Sequence, residues 1–271
     1  MSSNDSTGKT LLVASLLCIV CSIVVSTAAV ALKGEQVKNK LLDKNTNILA
    51  AAGMLEEGKS VQEIFEQRLE VKLVNLKTGE YLTEETATED WEKAALANPV
   101  AYDQRKASKT SGQHEVLEGG VDVASIKRQA KYATVYLAKN EQGEAEKIIL
   151  PVHGYGLWST LYGFLALETD VNTVVGLGFY EHGETPGLGG EVDNPKWKAI
   201  WPGKQVFNGE GEVKLHLIKG SVDSKSANAA HEIDGLAGAT LTSNGVTNLI
   251  QFWLGENGFG PYLAKLKKEG V

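Results

Sequence analysis

Three hydroxyl side chains, Thr240, Thr242 and Ser243, follow two glycines and two alanines in the stretch DGLAGATLTSNG (Asp234 to Gly245), and an apolar helical pattern (Val246, Leu249, Ile250, Trp253) comes directly after. Hydroxyls delivered to the start of a helix can cap it, can help grip a phosphate, or can carry a phosphate as an ester. Glycines ahead of a helix N-terminus make a good anion site, because the free N–H groups and the helix dipole both attract negative charge. Capping by Thr240 or Thr242 accounts for one hydroxyl. It leaves Gly235 and Gly238, with Asp234 before them, unexplained.

A second glycine-rich segment is EHGETPGLGGEV. Pro186 fixes one φ angle, while Gly187, Gly189 and Gly190 remove bulk and expose backbone N–H groups against which a flat ligand could lie. A wide hairpin turn or a β-bulge is the competing reading. His182 and Glu184 beside it could form half a site, but they read more simply as a solvated loop pair. Other chemistries lack their signatures: there is no G-x-S-x-G, no H-E-x-x-H and no P-loop lysine after a glycine run. None of the five histidines has metal-ligand spacing with another. A catalytic residue set and a metal site are therefore not expected. A formal charge of −7 without a basic stripe argues against a nucleic-acid partner.

The elements that must position these segments are legible as patterns. YATVYLAKN, KIILPVHGYG, LYGFLALET and TVVGLGFYE read as strands, with EVKLHLIKG as a later one, and Asn140–Gly143 and Thr169–Asn172 as turns. Short connections favour antiparallel pairing, since parallel strands need long crossovers. Helices near NPKWKAIW, after Thr240 and around GPYLAKLKK would cover the sheet. Upstream, SVQEIFEQRL starts with Ser60 as N-cap and Glu63 at the capping-box position. EVKLVNLKTGEYL turns at Lys77-Thr78-Gly79, and TEETATEDWEKAALANP is helical from about Glu89 until Asn98-Pro99. Gln104 to Val121 reads as a long polar loop. The expected class is α+β, with a mainly antiparallel sheet flanked by helices.

Leu11 to Leu32 carries no charged residue. Its roughly 22 residues, at about 1.5 Å each, cover about 33 Å, enough to cross a hydrocarbon core of about 30 Å. Ala29-Val30-Ala31 resembles a signal cleavage site, yet the apolar run is longer than a signal peptide uses. A retained membrane helix is expected, continuing as a stalk through Gln36 to Met54. Cys18 and Cys21 lie within it and read as small apolar residues rather than a redox pair. Lys33, Lys38, Lys40 and Lys44 outnumber Lys9, so the positive-inside rule alone leans towards a cytoplasmic domain.

DGLAGATLTS closely resembles the flavinylation motif of FMN-binding domains, in which FMN is joined through its phosphate to the threonine of a Gly-Ala-Thr. Here those residues are Gly238, Ala239 and Thr240, flanked by Leu241 and Thr242. Ala237 stands where the family commonly has Ser or Thr. ETPGLGG and YGLWSTLYGFLAL are also similar to signatures of that family. With the N-terminal anchor and the stalk NKLLDKNTNILAAAG, nearly the whole chain resembles the C-subunit family of bacterial sodium-translocating NADH:quinone reductases.

The resemblance implies one covalent FMN per chain, on Thr240, attached by a flavin transferase that uses FAD and a divalent metal. It implies Leu157, Trp158, Thr185, Gly187 and Leu188 as candidates for the ring pocket, against ordinary core packing for Leu157 and Trp158. It further implies a one-electron relay from a metal centre in the membrane subunits to a flavin in the B subunit, in a complex with subunits A, B, D, E and F. In that complex NADH oxidation and quinone reduction drive sodium export. This chain shows no dinucleotide fingerprint and no acidic residue in its membrane run, which leaves those tasks to the partners. The transferase works outside the cytoplasm, so the resemblance implies an inner-membrane protein with a periplasmic C-terminal domain, against the charge count. The expected layout is a cytoplasmic 1–10, a membrane helix 11–32, a stalk with helical and hairpin segments over 33–131, and an FMN-binding domain over 132–271. Two other readings remain open: the homologous flavin-carrying subunit of an Rnf-type ferredoxin:NAD complex, and a free-standing tethered flavin module.

Overall fold

The computed structural model describes residues 6–271, and the chain divides into two compact units, 1–44 and 45–271. The first half of the expected cytoplasmic segment, 1–5, lies outside the described residues. In the first unit, helix α1 (Thr7–Ala51) begins and carries its apolar residues, among them Leu12, Ile19 and Val24, exposed. It is long and apolar enough to cross a membrane, as the uncharged run predicts. Cys18 and Cys21 are exposed thiols on it.

The second unit is built on a sheet. After α1, the next elements are α2 (Val61–Arg68) and strand β1 (Leu69–Asn75), then α3 (Asp90–Ala97) and α4 (Gln104–Ala107). Strands β2 (His114–Val116), β3 (Arg128–Ala130), β4 (Tyr132–Lys139), β5 (Ala145–Tyr155), β6 (Thr160–Glu168) and β7 (Val174–Glu181) follow. Beyond them come α5 (Pro195–Lys198), β8 (His216–Leu217), β9 (Glu232–Ile233), α6 (Thr240–Leu254) and α7 (Gly260–Glu269). The main sheet has the order β1-β4-β5-β6-β7, antiparallel at every pairing.

Both faces of that sheet are covered, and the side-chain alternation of the strands divides the core in two. Ala133, Val135, Ile148, Leu150, Val152, Leu161 and Leu165 join α6 and α7 residues such as Val246, Leu249, Trp253 and Leu263 on one side. Tyr136, Ile149, Phe164 and Ala166 point the other way, onto Ile48, Leu49, Ile64 and Phe65. β4 is buried at all but its last position, which is why it reads as a continuous apolar run rather than an alternating one.

Local signals hold where they are local. Ser60 caps α2 by accepting the Glu63 N–H at 3.1 Å. Glu89 and Glu92 form a capping box on α3, and Asn98-Pro99 ends it. Two expectations need correction. The 104–121 stretch is not all loop: Asp103 caps the single turn α4, and His114–Val116 pairs with Arg128–Ala130. The partner strand lies beyond the intervening turn, and Glu115 and Val116 of β2 are exposed, so no apolar periodicity marks it. EVKLHLIKG shrinks to the two residues of β8, and its pairing with β9 is parallel. The N–H groups of Lys214 and Leu215 go instead to the Val206 carbonyl, while a long connection between β8 and β9 permits the parallel arrangement.

Candidate functional site

The stretch Asp234–Gly245 resolves residue by residue. Asp234 accepts the Val222 N–H at 2.8 Å, and its carbonyl accepts the Trp197 indole N–H at 2.9 Å, so it anchors the loop to α5. Gly235 is required because a Cβ there would strike the Ile218 carbonyl. Gly238 sits at φ +72°, a left-handed conformation that turns the chain into α6. Its missing Cβ also leaves room for Leu188, whose Cδ2 would be 3.1 Å from it.

Neither threonine caps α6, contrary to the simplest expectation. The N-cap is Ala239, which offers no side-chain acceptor. The Ser243 hydroxyl donates to the Ala239 carbonyl at 3.1 Å and accepts the Leu236 N–H at 3.0 Å. Thr242 is fully buried and donates its hydroxyl to Glu184 Oε2 at 2.7 Å. Thr240 is exposed, and its hydroxyl makes no hydrogen bond to the described residues. The first turn of α6 thus presents N–H groups, a free hydroxyl and no acidic side chain. That is the environment a phosphate monoester or diester fits, because a helix start stabilises its charge.

Glu184 is the residue whose role the sequence pattern conceals. It is 5% exposed, not solvated. Its Oε1 accepts the N–H groups of Leu157, Trp158 and Ser159 at 3.1, 3.0 and 3.2 Å. Through Oε2 and Thr242 it reaches α6, so one carboxylate joins the β5–β6 turn, the glycine-rich loop and the helix start. Burial alone would raise its pKa. The Thr242 hydroxyl and the three N–H groups outweigh it and hold the carboxyl below its ordinary value. His182 is placed by the same network: Nδ1 accepts the Glu184 N–H at 3.2 Å while Nε2 lies 2.7 Å from Asp193 Oδ2.

The glycines around this junction are there for close approach. A Cβ on Gly189 would lie 2.5 Å from Thr242 Oγ1 and 2.7 Å from Glu184 Oε2. A Cβ on Gly156 would lie 2.7 Å from Glu184 Oε1, and one on Gly245 would lie 2.5 Å from the Tyr155 carbonyl. EHGETPGLGGEV is therefore neither hairpin nor bulge. It turns at Gly187 (φ +75°), returns the Leu188 and Gly190 N–H groups to the Thr185 carbonyl, and enters a short 3-10 helix at Gly189.

Of the residues proposed for a ring pocket, the junction gathers Leu157, Trp158, Thr185, Gly187 and Leu188 onto the two segments that Glu184 ties together. Trp158 is 66% exposed and Leu241 58%, with Tyr155 and Leu188 also exposed. Core packing does not account for Trp158. Exposed apolar groups clustered beside a helix start suit a flat, partly apolar ligand with an anionic end.

The depressed carboxyl has a consequence for pH. A carboxylate whose folded pKa lies below its unfolded value of about 4.3 contributes stability that is fully present above that value. The contribution is lost as pH falls through the lowered folded value. Thermal melts from pH 7 down to pH 3 should show the native chain losing stability across the acid limb more steeply than Glu184→Gln. Parallel curves for the two would remove Glu184 from the acid response.

Comparisons with known proteins agree with this geometry. Residues 156–255 match the FMN-binding domain family, a span that contains the turn, the glycine-rich loop and the whole of α6. The C subunit of the Na(+)-translocating NADH-quinone reductase of Pseudomonas aeruginosa is 52% identical over 271 residues, covering 99% of each chain. Its Vibrio vulnificus counterpart is 48% identical over the full length of both. Among solved structures, Shewanella oneidensis NqrC superposes with a TM-score of 0.75 at 32% identity, over 85% of this chain and 99% of that one. The C subunit of the Parabacteroides distasonis reductase gives a TM-score of 0.62 at 27% identity, over 86% and 96%. With the membrane-length helix, the antiparallel sheet and the helix-start site all in place, the chain belongs to the family of C subunits of Na(+)-translocating NADH-quinone reductases.

Proposed function

We propose that this chain is the flavin-carrying electron relay of a sodium-translocating NADH:quinone reductase, with FMN esterified through its phosphate to Thr240. The observation that carries the reading is the free, exposed Thr240 hydroxyl at an otherwise uncapped helix start. Attachment requires a flavin transferase acting on FAD. The Thr240 oxygen loses its proton and bonds to the flavin-side phosphorus, the pyrophosphate bond breaks, and AMP leaves. The bound flavin would supply reversible one-electron chemistry. The residues of the chain do the rest: α6 N–H groups hold the phosphate end, while Leu157, Trp158, Thr185, Gly187 and Leu188 line the ring and limit water around it. Because Trp158 and Leu241 face outward, a partner can approach the ring edge closely.

The partners are the five other subunits, A, B, D, E and F, which supply NADH oxidation, quinone reduction and the sodium path. A tagged chain should bring all five down from mild-detergent extracts. Recovery of the chain alone, with flavin attached, would favour a free-standing tethered module; recovery with ferredoxin-linked partners would favour an Rnf-type complex. Full-length similarity to the reductase subunits supports the first outcome.

The proposed layout is a cytoplasmic 1–10, a membrane helix 11–32, a periplasmic stalk region 33–131 and an FMN-binding domain 132–271. A reporter active only in the periplasm, fused after Val271, should be active, and the mature chain should retain the Leu11–Leu32 segment. An inactive reporter, or an N-terminus at Leu32, would contradict the layout. The flanking lysines oppose this orientation, but large domains translocate despite such charges.

A further inference from the structure

We propose that Glu184 is the positioning residue of the flavin site, holding both ring-pocket segments to α6 and lowering the flavin potential through its fixed negative charge. The inference rests on FMN being attached at Thr240.

The two carboxylate oxygens divide most of the contacts, with the Leu157 N–H shared between Oε1 at 3.1 Å and Oε2 at 3.3 Å. Oε1 sits in a nest of three consecutive N–H groups, those of Leu157, Trp158 and Ser159. That nest fixes the turn from which Tyr155 and Trp158 project. The turn is closed on itself by the Gly156 N–H to the Ser159 carbonyl at 2.8 Å, and it is tied to the other loop by the Gly183 N–H to Ser159 Oγ at 2.6 Å. Oε2 takes the Thr242 hydroxyl, two residues along α6 from Thr240. Leu157 and Trp158 on one side, and Thr185 on the other, are each one step from the carboxylate by hydrogen bond or by chain.

The charge itself is not cancelled. Every hydrogen-bond donor to the Glu184 carboxylate is a neutral N–H or O–H, and among the described residues it forms no ion pair. Dipoles hold the group ionised but leave its net charge in place, in a site where burial weakens solvent screening. An electron added to a ring among these residues is opposed by that charge. Removing the charge while keeping the shape should therefore make reduction easier.

Glu184→Gln does this. Its carbonyl oxygen can take the three N–H groups, and its amide can donate to Thr242 Oγ1 once that hydroxyl turns. Thr242→Val is the complementary change, removing one hydrogen bond and leaving the charge. Both variants are to be purified in the full reductase complex, with flavin at the Thr240 peptide quantified and the potential followed spectroelectrochemically. The signal of this flavin is isolated by difference from a Thr240→Val complex. The expected result is flavin retained at Thr240 in both variants, an upward shift of potential in Glu184→Gln, and no upward shift in Thr242→Val. An unmoved or lowered potential in Glu184→Gln overturns the proposal, and so do equal rises in both variants, which would trace the effect to packing. A native chain without FMN at Thr240 overturns the attachment itself, and this proposal with it.

Discussion

Replacing Thr240 by valine should abolish covalent flavin on this chain, from full occupancy to none, while leaving its fold intact. Valine has the shape of threonine and can occupy the first turn of a helix, and Thr240 is exposed. Its hydroxyl supports no hydrogen bond among the described residues, so the cost in stability should stay within about 0.5 kcal/mol, as for a surface substitution away from special features. The chemical cost is complete, because without an oxygen no ester forms. In-gel flavin fluorescence after denaturing electrophoresis should vanish for this chain, and quinone reduction by the assembled complex should fall with it. Thr242→Val should behave in the opposite way. That hydroxyl is fully buried against Glu184, so its loss weakens the junction without removing the acceptor oxygen. Retained fluorescence in Thr240→Val would redirect the assignment to another hydroxyl.

The second large effect should come from Gly189→Val. This glycine has an ordinary backbone conformation, so strain at φ is not the issue. The problem is space: its Cβ would sit 2.5 Å from Thr242 Oγ1 and 2.7 Å from Glu184 Oε2. Both are short buried groups that cannot swing into solvent. Overpacking at such a point costs about 1–3 kcal/mol, and breaking the Thr242–Glu184 bond adds roughly 1–3 kcal/mol for the polar groups left unmatched. The domain should melt measurably lower and its flavin should become more accessible to an aqueous quencher. Gly187→Val is the useful contrast. Its Cβ meets nothing, but its φ of +75° penalises any side chain with a branched Cβ. It should cost stability through the backbone while leaving the Thr242–Glu184 contact intact. A Gly189→Val chain with native melting and native flavin accessibility would mean that the junction is not as tightly packed as its geometry requires.

Much of this arrangement can be read from the sequence because its signals are local. β4 to β7 announce themselves as apolar runs between short turns, and α3 carries its own start and stop at Glu89 and Asn98-Pro99. Gly238-Ala239-Thr240 stands out because small residues ahead of a helix are otherwise wasteful. The role of Glu184 is invisible in the same pattern. Its three N–H partners lie some 25 residues upstream and its hydroxyl partner 58 residues downstream, so nothing nearby distinguishes it from a solvated loop carboxylate. The signal that existed was indirect. Gly156, Gly189 and Gly245 are glycines at ordinary φ angles, each needed because another segment passes close by. The single turn of α4 and the pairing of β2 with β3 escaped for a related reason: Glu115 and Val116 are exposed, and the register of β2 is set by Arg128–Ala130 rather than by its own pattern.

Everything proposed for the site turns on one bond, between the Thr240 oxygen and the FMN phosphorus. Tandem mass spectrometry of the proteolytic peptide spanning Asp234 to Gly245, taken from the native complex, tests it most directly. The expected result is an adduct equal to one FMN less one water, with fragment ions placing it on Thr240 and none on Thr242 or Ser243. An unmodified peptide from a complex whose chain still holds flavin, or an adduct on either neighbouring hydroxyl, would contradict it.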